Sequence, residues 1–263
     1  MPAPLSAQSA GNPKIGVQLY SVRDDCAKNY DAALEQIGKM GFEGVEFAGY
    51  YGYAEKPAEL RKKIDDCGLK GFSTHIATAK LRGDELKKTI EFHQILGCHY
   101  LIVPMDGDCA NPDKCKAFAD FFSATAQTLK PLGMACGYHN HFHEFDKNGE
   151  KTYFELFADG TSPEVVLEQD CGWTASAHAD PVAMMKRWPG RFKLQHFKPT
   201  VVDNQPGKKA YFGQDSVDWV AALATARTVG GTEWVILEQE VYPDGKPPME
   251  CTQISLAGLK KIW

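Results

Sequence analysis

Residues 14–48 have the sequence KIGVQLYSVRDDCAKNYDAALEQIGKMGFEGVEFA, which predicts a strand, a helix and a second strand in succession. The first strand is an apolar alternation over residues 14–21, and the second covers residues 44–48. Between them, apolar residues recur at near-helical spacing over residues 30–40, and Gly41 follows where glycine commonly ends a helix. This strand–helix–strand unit is typical of a parallel sheet.

The same alternation continues to the end of the chain. Six further β-rich runs follow, at residues 71–77, 99–105, 134–141, 165–171, 192–198 and 234–240. Stretches of helical length separate them, and no linker rich in Pro, Gly or Ser interrupts the series. The pattern predicts an α/β fold, a single (β/α)8 TIM barrel. The alternative, a doubly wound open sheet, would have a glycine-rich turn after an early strand, and no GxGxxG or GxxxxGK[ST] motif occurs.

We expect a flexible N-terminal segment, residues 1–13, followed by the barrel, residues 14–263. The N-terminal segment is small, polar and aperiodic, without the basic and apolar regions of a signal peptide. The expected compartment is the cytoplasm, or the periplasm if an export signal was removed. Most of the 8 cysteines lie in apolar segments and are predicted to be buried thiols, although Cys109 and Cys115 could form a disulfide in an oxidising compartment.

Composition excludes several functional classes. Hydrophobic residues make up 43% of the chain, and 29 basic against 34 acidic residues give a net charge of −5, which is typical of a folded protein. No apolar run reaches the roughly 18 residues that a membrane span needs. The slight negative charge argues against a nucleic-acid-binding surface. We therefore expect a small-molecule substrate, with neither nucleic acid nor membrane as a partner.

Ligand-type and acid–base residues concentrate at the carboxyl ends of the predicted strands, where a barrel of this type forms its active site. They are Glu46, His75, His139, His141, Glu168, Asp170, His196, Lys198, Glu238 and Glu240. Because side chains alternate along a strand, two residues at positions i and i+2 share a face. If that face is the barrel lumen, imidazoles and carboxylates converge there. Such a mixed set suits Mn²⁺, Zn²⁺, Fe²⁺ or Co²⁺ better than Ca²⁺ or Mg²⁺.

Each of these residues, taken alone, also has a structural explanation. A single His at a strand end is more often a hydrogen-bonded structural residue than a ligand, and a lone Glu in a strand is usually solvated or paired. Four consecutive strands that each end in a ligand-type residue are harder to explain in this way. Burying unpaired charges costs several kcal/mol unless a metal or a partner neutralises them. The sequence thus predicts a metal site.

Six motifs on these strands are shared with a known family: GVQLYSVRDD, GFEGVEFAGYYG, GYHNHFHEF, LEQDCGW followed by ADP, QHFKP and WVILEQE. Over about residues 14–262 the chain resembles the sugar phosphate isomerase/epimerase family of the xylose isomerase-like TIM-barrel superfamily. The resemblance implies one divalent metal ion, with Mn²⁺ as the first choice and Zn²⁺, Co²⁺, Fe²⁺ or Mg²⁺ as alternatives. The implied metal ligands are Asp170, His196, Glu238 and, in the least certain position, His139.

The chain departs from the ketose epimerases of this family at two positions. They have a Glu where this chain has His139, and a His where it has Trp173. In those epimerases two metal-bound glutamates move a proton on opposite sides of the substrate. Here the resemblance leaves Glu238 as the obvious carboxylate base, with His139 or His141 as its partner acid. The strand-five pattern HNH is closer to that of the dehydratase-like relatives.

The activity implied by the resemblance is a metal-dependent sugar or keto-sugar isomerase or epimerase. Such an enzyme removes the proton next to a metal-bound carbonyl through an enediolate. The alternative is a lyase that uses the same enolate, such as an inosose-type dehydratase or an enzyme that eliminates from 3-keto-glycosides. A sugar-binding barrel without activity is a third hypothesis, and an apurinic endonuclease is the least favoured. The resemblance also suggests a homodimer.

The remaining candidate residues surround the predicted ligands. His75 and Lys198 are candidates for moving a second proton or holding a substrate oxygen, although a hydrogen-bonded His and an exposed Lys would explain them equally well. Aromatic residues such as Tyr20 could form an apolar wall for a sugar ring, or could simply pack. His75 therefore joins Glu238 and His139 as a predicted catalytic residue. The predicted substrate-binding residues are Tyr20, Glu46, His141, Trp173 and Lys198.

Other polar residues give weaker signals. His178 and Glu144 lie close in sequence to candidate ligands, and we expect them to have loop or supporting roles. Lys208 and Lys209, in the polar loop DNQPGKK, could meet a phosphate, although a solvated loop is the simpler explanation.

Overall fold

The structure is a computed structural model that describes residues 12–263. Residues 1–11, and with them nearly all of the predicted N-terminal segment, lie outside the described residues. Eight parallel strands close into a barrel in the order β1-β10-β9-β8-β5-β4-β3-β2, which confirms the predicted (β/α)8 TIM barrel. The barrel strands are β1 (Lys14–Gln18), β2 (Gly44–Phe47), β3 (Lys70–His75), β4 (Tyr100–Val103), β5 (Ala135–His139), β8 (Val166–Asp170), β9 (Leu194–Phe197) and β10 (Trp234–Leu237).

Helices connect the strands and surround the barrel. They are α1 (Arg23–Lys28), α2 (Tyr30–Met40), α3 (Pro57–Asp66), α4 (Gly83–Leu96), α5 (Cys115–Leu129), α6 (Tyr153–Gly160), α7 (Cys171–Ser176), α8 (Pro181–Arg187), α9 (Trp219–Thr225) and α10 (Pro248–Lys260). Helix α2 has the predicted bounds because both of its ends carry local signals. The Asn29 side chain accepts a hydrogen bond from the Ala32 amide, and Gly41 adopts a φ of 88°.

The lower half of the barrel lumen is filled by an apolar plug. Six buried side chains form it: Phe72, Ile102, Val166, Leu194, Trp234 and Ile236. The rings of Phe72 and Trp234 stack with centroids 3.8 Å apart. Two glycines make room for this stack, because a Cβ at Gly16 would lie 2.7 Å from the Phe72 ring and one at Gly44 would lie 2.9 Å from each of the two rings. The buried acid–base side chains lie beyond this plug, towards the carboxyl ends of the strands.

Strand β3 contains a β-bulge, at which one extra residue interrupts its pairing with the neighbouring strand β2. Val45 pairs with Gly71, whereas the next residue, Glu46, pairs with Ser73. The extra residue, Phe72, belongs to the lumen plug. Ser73 also points inward, since its hydroxyl donates a hydrogen bond to the Glu46 carboxylate. The bulge therefore shifts the alternation by one residue and brings His75 into the lumen, where simple alternation from Phe72 would have turned it outward.

The strands end earlier than predicted. Strands β5, β9 and β10 end at His139, Phe197 and Leu237, so that His141, Lys198 and both glutamates that follow β10 lie in loops. Side chains continue to alternate between lumen and exterior beyond the last residue that pairs with a neighbouring strand. The sequence pattern alone therefore predicts strands that are too long. Three short elements were not predicted either: α1, α7 and a two-stranded hairpin of β6 (Lys147–Asn148) and β7 (Lys151–Thr152).

Two smaller expectations can be compared with the structure. All eight cysteines carry free thiols, including Cys109 and Cys115, which are both buried without forming a disulfide. Across residues 12–263, no helix has both the length and the apolar character that crossing a membrane would require.

Candidate metal centre and active site

The acid–base residues predicted at the strand ends meet in the lumen directly above the apolar plug. They come from β2, β3, β5, β8, β9 and the loop after β10. Buried there are Glu46, His139, Glu168, Asp170, His196 and Glu238. The side chain of His75 is 13% exposed, which makes it the most exposed member of this cluster. All the predicted catalytic and metal-binding residues therefore lie in one place.

Two overlapping groups of four residues could hold a metal ion. The ligand group consists of His139, Asp170, His196 and Glu238, and one ligand atom from each lies within 4.8 Å of the others. His139 Nε2 is 3.9 Å from Asp170 Oδ2, and His196 Nδ1 is 3.2 Å from Glu238 Oε2. The second group shares His139 and His196 with the ligand group. It contains His75 and Glu168 in place of Asp170 and Glu238.

The ligand group fits a divalent ion better than the second group does. Asp170 Oδ2 is buried and has no hydrogen-bond partner among residues 12–263. A buried carboxylate oxygen without a partner costs free energy, and a cation facing it would remove that cost. In the second group, by contrast, Glu168 Oε2 already lies 2.7 Å from His75 Nε2 and 3.1 Å from His139 Nδ1. Two imidazoles and two carboxylates are ligands that Mn²⁺, Zn²⁺, Fe²⁺ and Co²⁺ accept.

His196 is oriented by Glu46. Its Nε2 lies 2.7 Å from Glu46 Oε1, and because an ionised carboxylate can only accept, Nε2 carries a hydrogen and Nδ1 is turned towards Glu238 Oε2 in the ligand group. Glu46 is held in turn by the Gln18 side-chain amide, at 2.8 Å, and by the Ser73 hydroxyl. Its exposure is 0%. This enclosed position does not suit the substrate contact predicted for Glu46.

His139 is oriented in a similar way by Glu168. Its Nδ1 faces Glu168 Oε2, which leaves Nε2 directed towards Asp170. The same glutamate oxygen also bonds His75 Nε2, and Glu46 Oε1 lies 3.2 Å from that nitrogen. Two buried carboxylates thus lie behind the imidazoles of the cluster. The other oxygen of Glu168, Oε1, has no hydrogen-bond partner within the described part of the chain.

Burial and mutual contacts shift the ionisation of the cluster. Burial raises the pKa of Asp170 to about 7, and burial also lowers the pKa of His139 well below its usual value. Burial opposes the charged form of His196, but the Glu168 and Glu46 carboxylates overcome it and raise the pKa well above its usual value. For Glu238, the hydrogen bond and the charge of His196 outweigh burial and lower the pKa to about 2. Without a cation, Asp170 and His196 are therefore the two ligands that hold a dissociable proton just below neutral pH.

Three predicted substrate-binding residues lie next to the ligand group. The Trp173 backbone amide donates a hydrogen bond to Asp170 Oδ1, at 2.8 Å, in the first turn of α7. Lys198 Nζ lies 3.6 Å from the centre of the Trp173 ring and forms an ion pair with Glu240. The His141 and Trp173 rings are 5.6 Å apart, and burial lowers the pKa of His141 to about 4. These side chains form one wall of the barrel mouth.

Tyr20 lies at the rim of the mouth instead. It is 44% exposed and packs against the guanidinium group of Arg23, which is 4.4 Å from its ring. Arg23 also donates a hydrogen bond to the Tyr242 hydroxyl, at 2.8 Å. Phe142, with the same exposure as Tyr20, packs against Trp173 on another side of the mouth. Exposed aromatic rings therefore surround the entrance, and Tyr20 is one of them.

Three supporting residues were not assigned a role from the sequence: Gln18, Asn140 and Glu168. Asn140 Oδ1 accepts a hydrogen bond from the Asp170 amide, at 3.1 Å, and so ties β8 to the end of β5. Glu168 shares a strand face with Asp170, a signal visible in the sequence, whereas no local pattern pointed to Gln18 or Asn140. Of the weaker candidates, Glu144 accepts from the His141 amide, while His178 is exposed beside Asp203.

Comparison with known proteins agrees with this geometry. The family model of the xylose isomerase-like TIM barrel matches residues 34–262. A sugar phosphate isomerase/epimerase from Parabacteroides distasonis ATCC 8503 is 27% identical, with a TM-score of 0.78 over 94% of this chain and 98% of its own. A second such structure from that organism is 23% identical, with a TM-score of 0.77 over 97% and 98% of the two chains.

A more distant structure, the IOLI protein with a bound zinc atom, is 13% identical, with a TM-score of 0.66 over 95% of this chain and 97% of its own. At this identity the likeness shows the fold alone, as it does for the relative at 23% identity. None of the curated proteins matches the sequence. The family model covers most of the chain, including every barrel strand except β1. This protein therefore belongs to the xylose isomerase-like TIM barrel family.

Proposed function

We propose that this protein is a divalent-metal-dependent isomerase or epimerase of a sugar or keto-sugar. The reaction removes the proton next to the carbonyl and passes through an enediolate. The observation that carries this proposal is the ligand group: two imidazoles and two carboxylates converge in the lumen, and one buried oxygen of Asp170 faces them without a partner. Family membership and the neighbours described as isomerase/epimerases support the same class of reaction.

His139, Asp170, His196 and Glu238 would hold the ion, with Mn²⁺ as our first choice. A divalent ion there would supply Lewis-acid chemistry, polarising the carbonyl and stabilising the negative charge that develops as the proton leaves. Glu238 is the proposed base, because its carboxylate stays ionised at neutral pH and belongs to the ligand group, where a metal-bound carbonyl would lie.

His75 is the proposed acid that returns a proton to the substrate. Burial opposes its charged form, but the adjacent Glu46 and Glu168 carboxylates raise its pKa above the usual value. His139 is kept neutral by burial, which suits a metal ligand better than an acid. His75 is also the partly exposed member of the cluster, so a substrate in the mouth can reach it.

Glu46 and Glu168 are proposed as positioning residues. Each accepts a hydrogen bond from one ring nitrogen of a ligand imidazole and so directs the other nitrogen into the ligand group. We therefore replace the substrate-binding role predicted for Glu46. His141, Trp173 and Lys198 keep the substrate-binding role, because they form the wall of the mouth beside Asp170.

A lyase is the second candidate function. The two sides of the proposed site are unequal, with the carboxylate of Glu238 after β10 and the imidazole of His139 on β5. Epimerisation needs proton transfer on both faces of the substrate, whereas elimination needs one base and a leaving group. An inosose-type dehydratase or an enzyme that eliminates from 3-keto-glycosides would use the same group of residues.

Proton NMR in D₂O tests the proposal and separates the two outcomes. The Mn²⁺-loaded protein is incubated with ketoses, keto-inositols and 3-keto-glycosides, and deuterium exchange next to the carbonyl is followed together with product mass. Exchange with conserved mass indicates an isomerase or epimerase, whereas loss of water or of an aglycone indicates a lyase. Absence of exchange with every compound would contradict the proposed chemistry.

A further inference from the structure

A side cavity opens next to the proposed active site. Its volume is about 510 Å³, within the range of pockets that hold small molecules. Trp173, Lys198 and Glu240 line it, and these same residues form or adjoin the wall beside Asp170. The four residues of the ligand group are not part of its lining. The side cavity therefore adjoins the metal centre without containing it.

The lysines of the side cavity are already engaged. Lys209 Nζ bonds both carboxylate oxygens of Asp244, at 2.8 and 2.9 Å. Lys198 is paired with Glu240, and Lys208 donates a hydrogen bond to the Asp215 carbonyl oxygen, at 2.7 Å. Within residues 12–263, Lys208 is therefore the one lysine of the side cavity without a carboxylate partner. A phosphate bound in the cavity would also face the Glu240 carboxylate. The charge pattern does not favour an anion.

The lining instead mixes donors and acceptors, as a neutral hydroxylated molecule requires. Glu240, whose side chain is 26% exposed, offers acceptor oxygens, and Lys198 and Lys208 offer ammonium donors. Asn204 and Gln205 carry amides that both donate and accept. The side-chain oxygen Oε1 of Gln205 accepts a hydrogen bond from the Ser216 hydroxyl, which leaves the side-chain NH₂ group of Gln205 for a ligand.

We propose that the side cavity is a subsite for a second, neutral sugar unit of the substrate. The substrate class is then a glycoside or a short oligosaccharide, whose first unit reacts at the metal centre. This inference rests on the proposed function, since it takes the ligand group as the place of reaction. Trp173 is placed to contact both units, because its amide bonds Asp170 and its side chain lines the side cavity.

Calorimetric titration of the Mn²⁺-loaded protein tests this subsite by binding rather than by turnover. The probes are glucose, cellobiose, maltose and glucose 6-phosphate. We expect at least one disaccharide to bind about tenfold more tightly than glucose, the gain from a few added hydrogen bonds. Val201→Trp, which places a large side chain in the lining, should remove that preference. The matched control is Val220→Trp, on an exposed position of α9, which should keep it.

Equal affinities for glucose and both disaccharides would overturn the inference, and so would a preference that survives in Val201→Trp. Tightest binding of glucose 6-phosphate would overturn it in favour of an anion site. The proposed function is tested separately by the deuterium exchange experiment. If no keto-sugar exchanges but the disaccharide preference is present and sensitive to Val201→Trp, the proposed reaction fails while the subsite stands.

Discussion

His139 and His196 differ in the nitrogen that they turn towards the ligand group. His139 bonds Glu168 through Nδ1 and directs Nε2 inward, whereas His196 bonds Glu46 through Nε2 and directs Nδ1 inward. An imidazole with two possible tautomers would otherwise present the wrong nitrogen part of the time. The buried glutamates therefore decide the donor set of the site, although neither belongs to the ligand group itself.

Glu46→Gln tests this positioning role. The substitution keeps the shape of the side chain but removes the charge that fixes the hydrogen on His196 Nε2. We expect the affinity for Mn²⁺ to fall by about 10- to 100-fold, the effect typical of removing a carboxylate that supports a ligand histidine. Calorimetric titration measures it, with Glu35→Gln on the exposed face of α2 as control. An unchanged Mn²⁺ affinity in a folded variant would show that Glu46 has only a packing role.

Asp170→Ala tests the ligand group directly. We expect the variant to lose a stoichiometric divalent ion, as His196→Ala should also do, because each change removes one of four ligands. Metal content by elemental analysis and folding by circular dichroism are the measurements. Asp180→Ala, which removes a helix cap outside the site, is the control and should retain the ion. Full occupancy in Asp170→Ala would refute the assignment of this ligand.

The raised pKa of Asp170 makes metal binding depend on pH. Burial holds its proton up to about pH 7, so a metal ion must displace that proton below this pH. The affinity for Mn²⁺ should therefore rise about tenfold per pH unit for each proton displaced between pH 5 and pH 7, and less steeply above pH 7, where only the His196 imidazolium still has to lose a proton. Titrations in buffers of different ionisation enthalpy count the protons released at pH 6. Zero release at that pH would contradict this ionisation state.

The sequence predicted which residues lie in the polar cluster, but not which of them hydrogen-bond to one another. Strand-end position is a local signal and gave the list of candidates, the family resemblance reduced that list to the four residues of the ligand group, and the structure brings those four together. Their roles remain predictions. The bond between Glu46 and His196 joins residues 150 positions apart. No local periodicity encodes such a contact, so the enclosed position of Glu46 emerged only from the three-dimensional arrangement.

At the scale of elements, the first turn of α7 connects the ligand group to the wall of the mouth. Gly172 lies in this turn, and a Cβ added there would be 2.3 Å from the Lys198 carbonyl oxygen. The missing side chain lets α7 approach the loop after β9 closely. The spacing between Trp173 and Lys198 therefore depends on this glycine.

Gly172→Ala should displace α7 from the loop after β9. We expect a loss of about 1–3 kcal/mol in the free energy of unfolding, as for other overpacked positions, and weaker sugar binding because Trp173 and Lys198 shift. Urea unfolding and calorimetric titration with sugars measure the two effects. Gly107→Ala, where nothing lies within 4 Å of the added Cβ, is the control. Identical behaviour of the two variants would contradict the close-packing argument.

The element types were predictable because helix and strand periodicities are local, and the strand–helix order was sufficient to predict the barrel. Strand ends were not predictable to the residue. Pairing stops where the neighbouring strand stops, and that depends on contacts distant in sequence. The bulge in β3 escaped prediction for the same reason, since an extra residue is visible only against the register of β2.

At the scale of the whole molecule, metal binding should stabilise the barrel. The ligand group joins β5, β8, β9 and the loop after β10, so an ion held there links four consecutive segments of the closed sheet. At a free metal concentration about 100 times Kd, ligand binding adds about 2.7 kcal/mol. For a chain of this size we expect Tm to rise by about 5 °C. Differential scanning calorimetry with Mn²⁺ and with a chelator measures the change.

Asp170→Ala is the control for this stabilisation, because its Tm should not respond to Mn²⁺. A Tm that rises equally in the wild type and in this variant would indicate that the ion acts elsewhere on the surface. Mg²⁺ provides a second comparison, since the mixed nitrogen and oxygen ligands should give it a smaller stabilisation than Mn²⁺.

The bulge in β3 sets the parity of that strand. Before the extra residue, every second side chain faces the lumen in one phase; after it, the phase is reversed, and the reversal brings both Ser73 and His75 inward. Deleting Phe72 would therefore restore the plain register with β2 and leave Ser73 and His75 facing the lumen, while the plug would lose one of its two stacked rings. The extra residue thus lets a single strand supply both a plug side chain and members of the polar cluster, so packing and chemistry can be altered separately within it.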